Sequence, residues 1–192
     1  NERLSFVLTG GSSPIKLYKK LSQSKIDWSN VDFFWGDERY VHKKSKNSNY
    51  KLAQDLLFKK AKIKNKNLFS IQTNVNEIKK SSNIYENTIR RYFKGKKIKF
   101  DIFLLGMGKD GHIASIFPNS KLLNKKFISS PVNRKDFKRI TLSLNIINNS
   151  KKIILWLNNR LKTNKFLKFK NKKKSIPVNY LNKKKLLCFS IK

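Results

Sequence analysis

Residues 100–120, FDIFLLGMGKDGHIASIFPNS, decide the fold. The first six are apolar except Asp101, the pattern of a strand covered on both faces in an α/β sheet. In open parallel sheets ligands bind just beyond the carboxyl ends of the strands, so residues 106–112 occupy the position where a site is expected. The chain has seven glycines, and Gly106, Gly108 and Gly111 fall within six residues, a concentration that implies close backbone approach or positive φ. Gly106-x-Gly108-x-x-Gly111 also satisfies the dinucleotide-binding fingerprint. Its context argues against that reading: the fingerprint needs a long helix after the third glycine and an acid about 20 residues on, whereas Pro118 stops any helix early and residues 127–132 hold no acid. The turn presents Asp110 and His112 instead, and these suggest proton transfer.

The same arrangement recurs upstream. Residues 4–9 (LSFVLT) run into Gly10-Gly11-Ser12-Ser13-Pro14, after which Ile15, Leu17, Tyr18 and Leu21 mark one helical face. Ser12 or Ser13 is expected to cap this helix and Pro14 to be its first residue. Two adjacent glycines exceed what capping requires, and free N–H groups at a helix start suit a phosphate. Residues 31–35 read as a second buried strand and lead to Asp37-Glu38-Arg39, again a polar cluster at a strand end. Residues 48–61 read as an amphipathic helix with Leu52, Leu56 and Leu57 inward, 68–71 as a short strand and 76–93 as a helix. Strands at 139–144 and 152–157 with a short helix between them, a helix at 161–169 and a last strand at 186–191 complete the pattern. Strands alternating with helices predict a mainly parallel α/β sheet.

At 192 residues and 39% hydrophobic, residues 1–192 form one domain with enough apolar side chains for a sizeable core. No signal-like segment or long apolar span appears, so neither export nor a membrane partner is expected. The lone Cys188 excludes an internal disulfide, fits a reducing cytoplasm, and is expected in the core rather than as a nucleophile. A net charge of +34, from 45 Lys+Arg against 11 Asp+Glu, would suit a nucleic-acid partner. The lysines are spread along the whole length, however, and no aromatic–basic interleaving of the RNA-platform kind is evident, which predicts diffuse solvated charge.

Residues 106–118, GMGKDGHIASIFP, resemble the signature of the 6-phosphogluconolactonases, the sugar-phosphate lactone hydrolases of the pentose phosphate pathway. Gly10-Gly11-Ser12-Ser13-Pro14, and Asp37-Glu38-Arg39 with Ser48-Asn49-Tyr50, are similar to that family's other two signatures in the same order. Arg139-Ile140-Thr141 resembles its Arg-hydrophobic-Thr strand and Lys162 the lysine of its late G-x-x-K element. Asn159 stands where that element has glycine and Ser13 where threonine is usual, while the family's Asp and Ala near the C-terminus are absent from residues 187–192. Asparagine tolerates left-handed φ and serine still caps, so both replacements are physically mild. The resemblance implies a mainly parallel, Rossmann-like α/β sheet flanked by helices, shared with the glucosamine-6-phosphate deaminases. Relatives usually carry a helix upstream of the first strand; Asn1 is not an initiator methionine, so such a helix is expected to be missing from this chain.

The substrate implied is 6-phospho-D-glucono-1,5-lactone, hydrolysed in the cytoplasm to 6-phospho-D-gluconate without metal or cofactor, and no nucleic-acid partner is expected. Arg39 is then the leading phosphate ligand, since a guanidinium matches phosphate oxygens bidentately. Lys162, Ser12 and the backbone around Gly10 and Gly11 complete the cradle, with Gly108 on the substrate surface and Arg139 a weaker candidate. His112 is the expected general base, kept neutral by its place in a glycine turn at the start of a short helix. Asp110 is expected to shape the turn, Asp37 to orient His112 or bind sugar hydroxyls, and His42 to be exposed and idle. The enzyme alternative is a glucosamine-6-phosphate deaminase, whose turn is followed by a glutamate that Ala114-Ser115-Ile116-Phe117-Pro118 lacks. The alternative from another class is a non-catalytic basic protein that binds nucleic acid.

Overall fold

A computed structural model describes residues 3–170 and 175–190. Asn1, from which the missing helix was inferred, and Ile191, expected to close the last strand, lie outside the described residues. The elements run β1 (Leu4–Leu8), α1 (Ile15–Ser22), β2 (Val31–Trp35), β3 (Asp37–Arg39), α2 (Asn49–Ala53), β4 (Leu68–Phe69), α3 (Ile78–Tyr92), β5 (Ile102–Leu105), β6 (Ser129–Val132), β7 (Arg139–Leu142), α4 (Leu144–Asn149), β8 (Lys152–Leu157), α5 (Arg160–Lys170) and β9 (Leu186–Ser190).

Six strands pair in parallel in the order β4-β2-β1-β5-β8-β9. The apolar runs explain the centre of this sheet: Val7, Leu8, Phe33, Phe34, Phe103 and Leu104 are fully buried, and burying such a side chain stabilises by about 1.5–3 kcal/mol. From β1 the chain winds outward through β2 to β4, then returns to β5 on the other edge of β1 and winds outward again through β8 to β9. The winding reverses between β1 and β5, which makes their carboxyl ends the topological switch point of the sheet.

Beyond β2 the chain leaves this sheet at Gly36, whose N–H donates to Leu8 O (2.9 Å) and whose carbonyl accepts from Leu142 N (2.9 Å). β3 then joins a three-stranded antiparallel sheet in the order β3-β7-β6, with Asp37 opposite Thr141 and Arg39 opposite Arg139. The strand expected at 139–144 therefore forms as β7, but outside the parallel sheet. A fully buried four-residue run reads the same in either setting.

Several local expectations need correction. Pro14 is the N-cap of α1 rather than its first residue, and no side chain caps there, so neither Ser12 nor Ser13 does. Ser48 caps α2 by accepting from Lys51 N at 3.2 Å, but after Ala53 the helix widens into a π turn over Gln54–Phe58. Leu57 is fully buried there, while Leu52 and Leu56 are partly covered. Cys188 is exposed, because β9 is the outer strand of the parallel sheet.

Two buried tyrosines close the strand ends. Tyr18 of α1 donates its hydroxyl to Thr9 O (2.6 Å) and accepts from Thr9 N (3.2 Å). Tyr85 of α3 does the same for Trp35, donating to its carbonyl at 2.8 Å and accepting from its N–H at 2.9 Å. Each hydroxyl thus satisfies a donor and an acceptor that have left the ladder. Tyr18→Phe or Tyr85→Phe should each lower stability by about 1–3 kcal/mol, the penalty for stranding buried backbone groups, as read from the midpoint and slope of urea unfolding.

Candidate active site

A cavity of about 290 Å³ opens at the carboxyl ends of β1 and β5. Its lining includes Gly10, Gly11, Ser12, Asp37, Arg39, Gly108, His112, Arg139 and Lys162, so every residue singled out as catalytic or substrate-binding in the sequence reaches it. His42 lies elsewhere, exposed, with its Nδ1 accepting from Lys44 N at 3.2 Å.

The histidine is built by its turn. Gly108 N donates to His112 O (2.9 Å) and Gly111 N to Gly108 O (3.1 Å), folding the turn so that the imidazole lies over Gly108. A Cβ on Gly108 would sit 2.1 Å from both Cε1 and Nδ1 of His112, which is why glycine is needed there. His112 Nδ1 is 2.6 Å from Asp110 Oδ1, and the same oxygen accepts from His112 N at 3.2 Å. Partial burial alone would raise the Asp110 carboxyl; its hydrogen bond and charge interaction with His112 outweigh this and hold it at about 2. An ionised carboxylate on Nδ1 fixes the proton there and leaves Nε2 as the acceptor of the neutral ring. The ring also packs on Phe117, 4.6 Å between centroids.

The short helix expected after His112 does not form. Isolated bridges pair Met107 with Ile113 and Ile113 with Ile116, and Ala114 takes a positive φ of 47°. No helix dipole therefore acts on the imidazole; Asp110 orients it. Asp37, expected to orient His112 or bind sugar hydroxyls, is buried and accepts from Ser115 Oγ at 2.6 Å, while its backbone carbonyl accepts from Asn49 Nδ2 at 2.9 Å. Ser115 N in turn donates to Thr141 Oγ1 at 3.2 Å. Asp37 and Thr141, opposite one another on β3 and β7, thus hold the loop that carries His112.

Cations line the same cavity. Arg39 and Arg139 are register partners on neighbouring strands, a placement that is unfavourable for like charges without an intervening anion. Arg139 is 8% exposed, pairs with Asp136 and lies over Phe117 at 5.6 Å. Arg39 donates from Nη1 to Asn47 O at 2.8 Å and forms no ion pair among the described residues. The Nε atoms of both arginines are buried without a partner. Lys162 donates to Ser13 Oγ at 2.6 Å, and its desolvation pushes the ammonium pKa down. Asn159, read as a left-handed substitute for glycine, instead caps α5 by accepting from Lys162 N at 2.9 Å.

The sequence reading missed three supports. Ser13 anchors Lys162 rather than a helix, Thr9 Oγ1 accepts from Gly106 N at 3.2 Å to tie the two glycine loops together, and Glu38 gathers the start of α2. Glu38 is 2% exposed, and burial pushes its carboxyl up to about 7 against the pull of backbone N–H groups from Asn49, Tyr50 and Arg39. The pairing of Asp37-Glu38-Arg39 with Ser48-Asn49-Tyr50 was the available signal, since it joined an acid to a helix start. Among the described residues, no cluster of three or more His, Cys, Asp or Glu could hold a metal ion, and no helix is long and apolar enough to cross a membrane.

A switch-point crevice that gathers cations around an aspartate-held histidine defines a class, the α/β enzymes that take small anionic substrates at their strand ends. The sequence profile of the family described as Glucosamine-6-phosphate isomerases/6-phosphogluconolactonase matches residues 1–188, and the chain belongs to that family. It is 33% identical over 166 residues to a 6-phosphogluconolactonase of Thermotoga maritima, covering 85% of this chain and 73% of that one. It is 31% identical over 154 residues to a 6-phosphogluconolactonase of Synechocystis sp., covering 78% of this chain and 64% of the relative's length. A crystal structure of 6-phosphogluconolactonase from Thermotoga maritima matches with a TM-score of 0.87 at 31% identity, covering 98% of this chain and 84% of that one.

The contact between Gly108 and the imidazole gives a direct test, because the chain has only two histidines. Gly108→Ala should displace the His112 ring and shift its Cε1 proton resonance, leaving that of His42 in place as an internal reference. The melting temperature checks that the variant is folded.

Proposed function

We propose that the protein hydrolyses 6-phospho-D-glucono-1,5-lactone to 6-phospho-D-gluconate, a cytoplasmic step of the pentose phosphate pathway, without cofactor, nucleic-acid or membrane partner. The observation that carries the reading is the pairing of Arg39 with Arg139 across β3 and β7, beside a histidine whose Nδ1 is held by Asp110. One half of this arrangement suits a phosphate and the other suits proton transfer. The relatives named above support the substrate.

In this reading Arg39, Arg139 and Lys162 bind the phosphate, with the loop of residues 10–13 beneath it, and fix the lactone by its far end. Bringing an anion to these cations offsets the repulsion between the arginines and the desolvation of Lys162. At the other end His112 Nε2 takes a proton from water as the water oxygen bonds to C1, giving a tetrahedral intermediate. The intermediate collapses by breaking the bond from C1 to the ring oxygen, and that oxygen receives the proton back from the imidazolium. Asp110 stabilises the imidazolium in between, as the orienting acid does in a histidine–aspartate pair. A glucosamine-6-phosphate deaminase reading would need an acid after the turn, and residues 114–118 contain none.

The decisive assay is lactone hydrolysis above the buffer rate, followed by coupled oxidation of 6-phosphogluconate; ammonia release from glucosamine 6-phosphate without lactone hydrolysis would overturn the reading. Binding and chemistry should separate by mutation. Arg39→Ala should chiefly raise KM, losing about 1.5–3 kcal/mol for a charge-assisted contact. His112→Ala should lower kcat by roughly 10²–10⁴ with KM little changed. Asp110→Asn should also act on kcat, because an amide no longer fixes the tautomer.

The same pair sets an acid dependence. Since the folded Asp110 carboxyl lies at about 2, below its ordinary 3.8, its stabilising contribution is present above that ordinary value and is lost as pH falls through the folded one. The stability difference between the wild type and Asp110→Asn should therefore shrink on acidification from pH ~4 toward pH ~2, as measured by urea unfolding at each pH.

A further inference from the structure

Glu38 lies behind the cavity wall with both carboxylate oxygens fully engaged. Oε1 accepts from Arg39 N (2.8 Å) and Asn49 N (2.7 Å), and Oε2 from Tyr50 N (2.7 Å) and Ser48 Oγ (3.1 Å). Helix α2 and the π turn that continues it span Asn49–Phe58, still too short to be stable by their own hydrogen bonds, so where the helix starts is set by whatever holds its first N–H groups. Glu38 holds two of them. Asn47, the residue before the Ser48 cap, accepts the Arg39 guanidinium at 2.8 Å. The start of α2 and the place of that guanidinium are therefore one geometric fact.

We propose that Glu38 is the positioning residue for Arg39, gripping its backbone N–H directly and its guanidinium through α2 and the Asn47 carbonyl. The inference rests on the reading that Arg39 binds the substrate's phosphate. A carboxylate is specifically required. Three of the four donors are backbone N–H groups, which cannot reverse, and they face both oxygens. A glutamine of the same shape must turn its NH₂ toward at least one of them, so the grip fails although the volume is kept.

The test is a double-mutant cycle on lactone hydrolysis with Glu38→Gln, Arg39→Ala and the pair. Glu38→Gln should raise KM tenfold or more with kcat within about threefold of the wild type, and should add little once Arg39 is alanine. A merely structural role would lower the melting temperature and the active fraction, and hence the apparent kcat, while leaving KM in place. An unchanged KM, or the same rise in both backgrounds, overturns the proposal. Where Glu38→Gln does not fold, Glu38→Asp, which keeps the charge but shortens the reach, enters the same cycle. If the wild type hydrolyses no lactone, the functional reading fails by itself, and the cycle is read from inorganic phosphate binding by calorimetry. A tenfold weakening by Glu38→Gln that disappears in the Arg39→Ala background then sustains the role of Glu38, and a wild type that binds no phosphate overturns it.

Discussion

A parallel strand that leaves its sheet inside the protein exposes backbone groups where water cannot satisfy them, and here that happens at the two strand ends beside the cavity. Thr9 and Trp35 are both buried, and each has its N–H and C=O returned to a hydrogen bond by one tyrosine hydroxyl. Because a hydroxyl donates and accepts at once, it replaces a ladder partner with a single atom. This lets β1 break off into the glycine loop and β2 into β3 at one level of the sheet, which gives the crevice two of its walls.

Much of this fold was legible because its central strands are buried on both faces. Residues 4–8, 31–35 and 102–105 are mostly apolar runs that lead into a glycine turn, and each forms a strand of the parallel sheet. What stayed hidden was the second sheet. β3 is Asp-Glu-Arg and β6 is Ser-Ser-Pro-Val, neither of which carries an apolar period. They are strands because β7 lies between them and supplies the pairing, a tertiary cause that no window of local sequence contains. The exposure of Cys188 has a similar origin: Leu186–Ser190 is apolar but lies at the sheet edge, and Leu187 and Phe189 are exposed with it.

Which residues gather at the cavity was legible in the sequence, but their wiring was not. Glycine turns at strand ends marked the loops, and chemically distinctive residues marked His112 and Arg39. Which group holds which depends on close approaches. Asp110 reaches His112 because residues 108–112 fold back on themselves, and Ser13 meets Lys162 because α5 begins above the first glycine loop. The replacement of glycine by Asn159 shows the limit well. Its tolerance of left-handed φ was the property visible from the residue type, whereas the property used is a side-chain oxygen that caps the helix carrying Lys162.

The proposed division of labour, phosphate at one end of the cavity and proton transfer at the other, requires that the two ends keep a fixed separation. They stand on different sheets. Arg39 and Arg139 belong to the antiparallel one, and His112 follows a strand of the parallel one. Asp37 and Thr141 join them, since both bind Ser115, three residues beyond the histidine, and both sit two residues from an arginine that lines the cavity. A buried carboxylate is a demanding choice for such a joint, because it must be desolvated. It does, however, accept the Ser115 hydroxyl at 2.6 Å, and its orientation is set by the β3–β7 register that also sets the arginines. Ala114, held at positive φ between His112 and Ser115, is where the chain accommodates this joint: the backbone takes up a sparsely populated conformation so that one side chain can face the cavity and the next but two can be anchored behind it.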